Sequence, residues 1–201
     1  MVSKISKMLV ESMVIEKKAI ELLIEQTQVQ YDNVIEILLN CEGKVVFVGV
    51  GKSGHIGRKL SATFSSTGTP SFFVHGTEAV HGDLGMIEKK DIVILISNSG
   101  STKEVIQNVP FLNEIGCLTI ALVSNSESQL AKICDHIILI PKYIEADHLN
   151  LAPTSSSTIT LVLGDAIACT LSKLKKFSKK SFYKFHPGGM IGEKLLGGKN
   201  E

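Results

Sequence analysis

Apolar residues follow two rhythms along the chain, and the alternation between them predicts the architecture. Residues 6–28 carry Leu9, Met13, Ile20, Leu23 and Ile24 at helical spacing, while Ile15, Ala19 and Leu22 widen the stripe. A helix with two sides to bury is expected there. A second helix over 31–40 ends at Cys41-Glu-Gly43, where Gly43 suits a left-handed cap. The rhythm then changes: strand-like runs open at Val45, Ser71, Asp91, Leu118 and His136, and the one from Asp91 to Ile96 is uninterrupted and rich in β-branched residues, as expected of a central parallel strand covered on both faces. Helical patterns at 54–65, 103–115 and 128–134 lie between them. The stretch 154–174 is apolar on more than one side, through Ile159, Leu161, Val162, Leu163, Ala166, Ile167, Ala168 and Leu171, so a buried helix is expected. Residues 182–186, Pro187-Gly-Gly and a short helix to Leu196 close the chain. This β-α-β-α order, with short connections and no repeat, predicts an α/β fold: a three-layer sandwich with a five-stranded parallel sheet flanked by helices.

Length and composition narrow the partners. A chain of 201 residues with 44% hydrophobic content suits one domain over 1–201. A terminal helix too apolar for one contact is usually shared with another copy, so residues 1–42 are expected to contribute to an oligomer. The net charge of +1 and the lack of a basic stripe outside 173–180, which reads as a solvated helix end, predict no nucleic-acid partner. Cys41, Cys117, Cys134 and Cys169 are scattered; neither a zinc site nor a disulfide framework is expected, which points to the cytosol. Glu11 and Glu16 interrupt the first apolar stretch, and nowhere do 18 apolar residues run together. No membrane segment is expected.

Candidate chemistry collects where strands end. Val45-Val-Phe-Val-Gly-Val-Gly-Lys-Ser-Gly54 passes from a strand into a helix through Gly49, Gly51 and Gly54, an arrangement that lets backbone approach an anion at a helix N-terminus. Walker A spacing fails at Val46, and no carboxylate ends the next strand for a dinucleotide ribose. A phosphate-binding turn carrying Lys52 and Ser53 remains. Ser97-Asn-Ser-Gly-Ser-Thr102 follows the third strand, on the same carboxyl edge where open α/β sheets bind ligands. Two hydroxyl-rich turns on one edge favour a bound phosphate over two helix caps. Thr154-Ser-Ser-Ser-Thr158 fits a third such turn or a capped helix start equally well. Glu104, in the first turn of a helix, reads alone as structural; Glu145, in a stretch without period, reads alone as a solvated loop carboxylate. His81 and His186 lie in glycine- and proline-flanked turns that leave imidazoles free to react. Together these groups supply what a sugar-phosphate isomerase needs: a phosphate anchor, a carboxylate base, an imidazole and a cation.

Blocks spread over most of the chain resemble the sugar isomerase (SIS) family, and within it the arabinose 5-phosphate isomerases: Gly49-Val-Gly-Lys-Ser-Gly-His-Ile-Gly-Arg-Lys59, Ser66-Thr-Gly-Thr-Pro70, Glu78-Ala-Val-His-Gly-Asp-Leu-Gly85, Ser97-Asn-Ser-Gly100, Leu151-Ala-Pro-Thr-Ser-Ser155 and His186-Pro-Gly-Gly189. The resemblance implies interconversion of D-ribulose 5-phosphate and D-arabinose 5-phosphate through a cis-enediol, supplying the Kdo sugar of lipopolysaccharide, with neither metal nor organic cofactor. It implies a catalytic set of Lys52, Glu104, Glu145 and His186 and a substrate lining of Gly51, Ser53, His81, Ser97, Asn98, Ser99 and Thr102. It further implies a homotetramer in which His186 serves a neighbouring site. Glu145-Ala-Asp-His148 stands where the family commonly has Glu-Ala-Cys-Pro, and no CBS pair is expected in the chain. An end product such as CMP-Kdo would then act at the active site itself. Other readings are an isomerase of a hexulose or heptose phosphate, or a non-catalytic sugar-phosphate sensor; the latter finds no helix-turn-helix in the sequence. In the expected mechanism, Ser53, Ser97, Ser99 and Thr102 hold the phosphate, His186 opens the ring and Lys52 polarises the carbonyl. Glu145 is preferred to Glu104 as base, because Glu104 stands beside a helix N-terminus.

Overall fold

Five runs of four to six residues pair edge to edge, all parallel, in the order β2-β1-β3-β4-β5. They are β1 (Val45–Gly49), β2 (Ser71–His75), β3 (Ile92–Ile96), β4 (Leu118–Val123) and β5 (His136–Leu139). The computed structural model describes residues 3–188. Val45 stands opposite both Ser71 and Ile92, and Ile92 opposite Leu118. Every residue of β1 and β3 is buried, because helices cover both faces.

Side chains alternate across the sheet, as a period of two requires. Phe47, Ile94, Ile120 and Ile138 face one layer, with residues from α1 (Lys4–Gln30), α2 (Asp32–Leu39), α3 (Gly51–Ser66) and α7 (Ser155–Leu174). Val46, Val48, Val93, Leu95, Ala121 and Val123 face the other, with α4 (Lys103–Ile106), α5 (Val109–Ile115) and α6 (Gln129–Ile133). The helix α7 is long and apolar enough to cross a membrane by length and composition, yet Ile159, Leu163, Ile167 and Leu171 lie in the first core cluster. Gly164 lets it close on α3: a Cβ there would meet Leu60 Cδ2 at 2.4 Å. A last helix, α8 (Lys179–Phe185), follows.

Three local expectations are corrected. Gly43 has no positive φ and the cap of α2 is Asn40; glycine is required because a Cβ would sit 2.4 Å from Asp91 Oδ1 and 2.5 Å from the Lys90 carbonyl. The single helix over 103–115 is two, α4 and α5. Pro110 has no N–H to continue the first and stands instead in the opening turn of the second, where none is needed. The helix after the first glycine turn starts at Gly51 rather than Gly54. The predicted helix to Leu196 lies outside the described residues.

The chain leaves β1 outward to β2 and returns to β3 on the other side of β1. The carboxyl ends of β1 and β3 therefore part company, and an open α/β sheet binds ligands in such a crevice. At the opposite extreme, the first half of α1 finds little to cover it: Ile5, Met8, Leu9 and Met13 are each more than half exposed, whereas Ala19 and Leu23 reach the core.

Candidate active site at the sheet switch point

The three glycines after β1 have different jobs. A Cβ on Gly49 would stand 3.1 Å from the Gly54 nitrogen, and one on Gly54 would stand 3.1 Å from the Gly49 carbonyl oxygen. These two let strand and helix pack. Gly51 has φ +56° and nothing within 4 Å of where a Cβ would be, so it is needed for its backbone conformation and faces open space. Glycine at 49 and 54 is thus required for packing, a need the sequence alone did not separate from ligand approach. Lys52 and Ser53 follow in the first turn of α3, whose leading N–H groups lack helical partners; Lys52 is exposed.

After β3 the chain turns sharply at Gly100, with φ +64° and Ser128 packed where a side chain would be. Ser97 is buried and its hydroxyl is bonded to that of Thr102 at 2.7 Å. Ser97 thus holds Thr102 rather than facing the crevice. Ser99 and Asn98 are exposed; the Ser99 hydroxyl meets that of Ser101 at 2.8 Å. The Asn98 carbonyl accepts from the N–H and hydroxyl of Ser124 at 2.9 and 2.8 Å, and its amide oxygen accepts from the Tyr143 hydroxyl.

The third hydroxyl run proves to be both helix start and cleft wall. Ser53, Ile56, Ile96, Asn98, Pro153, Ser156, Ser157 and Thr160 line one cleft of about 60 Å³, room for a small anion. The N-terminal turns of two long helices, α3 and α7, meet there.

The carboxylates differ in setting. Glu145 is buried, and its Oε2 accepts from the Thr154 N–H at 2.8 Å, the Thr154 hydroxyl at 3.0 Å and the Ser156 N–H at 3.2 Å. It caps α7 from ten residues away in the chain, since Thr154 makes no side-chain cap of its own. Glu104 is exposed, and its carboxylate has no hydrogen-bond or ion-pair partner among the described residues. Its helix, α4, has four residues, too few for an appreciable dipole. The reason for preferring Glu145 as base is thereby reversed: Glu145 is the carboxylate held at a long helix's N-terminus.

Gly76 draws two turns together. A Cβ there would meet the Glu104 carbonyl at 2.9 Å and Val50 Cγ1 at 3.1 Å. The buried Asn108 amide donates to the carbonyls of Gly76 and Glu104 at 2.9 and 2.7 Å. The backbones carrying Lys52 and Glu104 are thus fixed to each other. His81 ends a short 3₁₀ turn (Ala79–His81) and is exposed.

His186 is elsewhere. It stacks on Phe182 with ring centroids 3.9 Å apart and shares a groove with Ala62, Ser65, Ser66, Gly68, Pro70 and Phe185, at the C-terminal end of α3. Lys52 stands at the other end of that 16-residue helix, on the order of 20 Å away. One protomer does not unite the two. Gly189 of the closing motif lies outside the described residues.

Tyr143, Asn108 and Gly76 escaped the sequence reading. Tyr143 follows Pro141 just past β5, so the strand-end rule that singled out Ser53 and Ser97 applied to it as well. Among the described residues no three His, Cys, Asp or Glu side chains group to hold a metal ion.

The chain matches the SIS domain family over residues 38–169. An arabinose 5-phosphate isomerase of Escherichia coli, KpsF, is 48% identical over 167 residues, 83% of this chain and 53% of its own length. KdsD of Pseudomonas aeruginosa, also an arabinose 5-phosphate isomerase, is 47% identical over 182 residues, 90% of this chain and 56% of its own. The chain thus spans about half the length of the curated relatives it matches. A solved structure of Escherichia coli CFT073 c3406 in complex with arabinose 5-phosphate superposes with a TM-score of 0.90 at 52% identity, covering 92% of this chain and all of that one. The family match runs from the end of α2 into α7, takes in all five strands and both turns of the crevice, and makes this chain a member of the SIS domain family.

Proposed function

We propose that the chain is an aldose-ketose isomerase that interconverts D-arabinose 5-phosphate and D-ribulose 5-phosphate. One observation carries this reading: Ser53, Asn98 and Ser156, from three turns far apart in sequence, line one anion-sized cleft at the switch point of the sheet. The names and likeness of the relatives, and the arabinose 5-phosphate bound by the c3406 protein, support the substrate. Ser53, Asn98, Ser99 and Thr102, with the first N–H groups of α3 and α7, grip the phosphate. Ser97 orders Thr102, and Gly51 leaves backbone room. Glu104, an exposed carboxylate without a partner among the described residues, takes the proton from C2 of the aldose and returns it to C1 of the cis-enediol. Lys52 neutralises the developing enediolate oxygen. His81 lines the sugar end, and His186 of a neighbouring copy opens the ring and shuttles the hydroxyl proton. Glu145 acts by holding α7, and with it Ser156, in place.

The described residues are read as one SIS domain whose α1 and α2 add oligomer contacts, consistent with the exposed Ile5, Met8, Leu9 and Met13. A homotetramer gives every site a second chain's His186. Four unpaired cysteines favour a cytoplasmic setting, and an end product such as CMP-Kdo would compete at the same cleft. Incubating the purified protein with ribulose 5-phosphate and following the aldose 5-phosphate formed tests the reading. Conversion of a hexulose or heptose phosphate instead, or binding without turnover, overturns it.

A further inference from the structure

Beyond β5 the chain passes Pro141 and places Tyr143 between two regions. Its ring lines a groove with Ile15, Ala19 and Leu22 of α1. Its hydroxyl reaches the opposite way and donates to Asn98 Oδ1. A side-chain amide has one accepting end and one donating end. With the oxygen taken up by Tyr143, the NH2 group is the end left for the cleft that Asn98 lines beside Ser53, Ser156 and Ser157. The backbone of Asn98 cannot turn either, being held through its carbonyl by the N–H and hydroxyl of Ser124.

We propose that Tyr143 is a positioning residue, which orients the Asn98 amide so that its NH2, and not its carbonyl, meets the phosphate of the substrate. The proposal rests on the reading of this cleft as the phosphate site. An amide presented the wrong way round would set an oxygen dipole against an anion, and nothing else among the described side-chain contacts of Asn98 decides the matter. Burial, helped by the Glu145 charge and opposed by hydrogen bonds with Ser156 and Asn98, pushes the Tyr143 phenol up to about 12; the hydroxyl keeps its proton throughout the neutral range and so is able to donate to the Asn98 oxygen.

Tyr143→Phe removes the hydroxyl and keeps the ring. It is expected to weaken binding of inorganic phosphate, followed calorimetrically, and to raise the KM for arabinose 5-phosphate, each about tenfold, the loss of one hydrogen bond's orienting effect, with little change in kcat. Asn98→Ala is expected to weaken phosphate binding by at least as much, and the double variant to be no worse than Asn98→Ala alone. Additive losses mean that Tyr143 acts on the anion other than through Asn98, by direct contact or through Ser156, and unchanged phosphate affinity in Tyr143→Phe means that it only ties down its loop; either overturns the proposal. Asn98→Asp keeps the acceptor for Tyr143 but replaces the donor with a charge. It is expected to lose phosphate binding while melting at the wild-type temperature, and wild-type affinity in this variant overturns the proposal independently. Wild-type protein that binds phosphate yet fails to isomerise arabinose 5-phosphate defeats the isomerase reading alone, because the affinity comparison still stands.

Discussion

Glu145 and Thr154 are bonded twice over: one carboxylate oxygen of the first accepts both the N–H and the hydroxyl of the second, at 2.8 and 3.0 Å. The Ser156 N–H adds a third donor, so a loop carboxylate does for α7 what Thr154's own side chain does not. Replacing it strands these donors at the head of a core helix. Glu145→Ala is expected to cost about 1–3 kcal/mol, which for a chain of this size lowers the melting temperature by roughly 2–4 °C per kcal/mol. Glu145→Gln is expected to cost less and to retain exchange of the substrate's C–H proton with solvent, whereas Glu104→Gln loses that exchange and melts normally. Calorimetry beside proton exchange in deuterated water separates the roles; loss of exchange in Glu145→Gln restores the base to that residue.

The glycines after β1 make opposite predictions. Gly49→Ala drives a methyl to 3.1 Å from the Gly54 nitrogen and the Ser53 carbonyl carbon, backbone atoms that can yield only if α3 moves. A loss of about 1–3 kcal/mol is expected, and activity falls with the fold. Gly51→Ala meets no atom, but its φ of +56° costs a side chain roughly 1–2 kcal/mol. The new methyl also occupies the open approach to the crevice. Here kcat/KM is expected to fall further than the change in melting temperature explains, and equal losses in the two variants argue against Gly51 facing the ligand.

Burial raises the phenols of Tyr31 and Tyr143. The Tyr31 hydroxyl donates to the Leu139 carbonyl at 2.6 Å, and burial pushes its phenol up to about 12; Tyr143 is raised to about 12 as well. A phenol raised in the folded state favours folding while it is protonated. Its contribution is therefore complete below pH 10 and disappears as the pH climbs from 10 toward 12. Absorbance near 295 nm is expected to show two phenolates missing until about pH 12 in the native protein, with one fewer delayed in Tyr143→Phe. Ionisation of Tyr31 and Tyr143 near pH 10 in folded protein refutes the burial of their hydroxyls.

Strands and layers were legible because their signal is local: β3 is an unbroken apolar run and β4 is broken only by the buried Thr119, as burial on both faces demands. The split of α4 from α5 was hidden by apolar spacing that continues through Pro110, so proline's missing N–H had to be weighed against a pattern that ignored it. In the candidate site, residue types at strand ends singled out turns whose Ser53 and Asn98 line one cleft. They did not say which hydroxyl faces the ligand: Ser97 and Ser99 are two apart, yet the turn at Gly100 leaves one buried against Thr102 and the other exposed. Glu145's tie to α7 depends on a loop folding back, a distance no spacing rule carries. His186 is legible in the sequence but its location is not: it lies against the far end of α3, and only the sharing between chains proposed above brings it to the crevice.

That division of labour has a direct test. If each site takes Lys52 from one chain and His186 from another, Lys52→Ala and His186→Ala homo-oligomers are both inactive, each lacking one group at every site. Unfolding the two together in equal amounts and refolding them mixes the chains at random. A given site then has an even chance of an intact Lys52 and, independently, an even chance of an intact His186, so about a quarter of wild-type activity is expected to return. Sites confined to single chains give no recovery at any mixing ratio, because every chain carries one lesion. The refolded mixture is run beside each parent alone, and size-exclusion mass before and after checks that the oligomer has re-formed. Truncating α1 before Ala19 removes the exposed Ile5, Met8, Leu9 and Met13; it is expected to lower that mass and to abolish the recovery with it, since a His186 borne by a separated chain has no neighbour's crevice to enter.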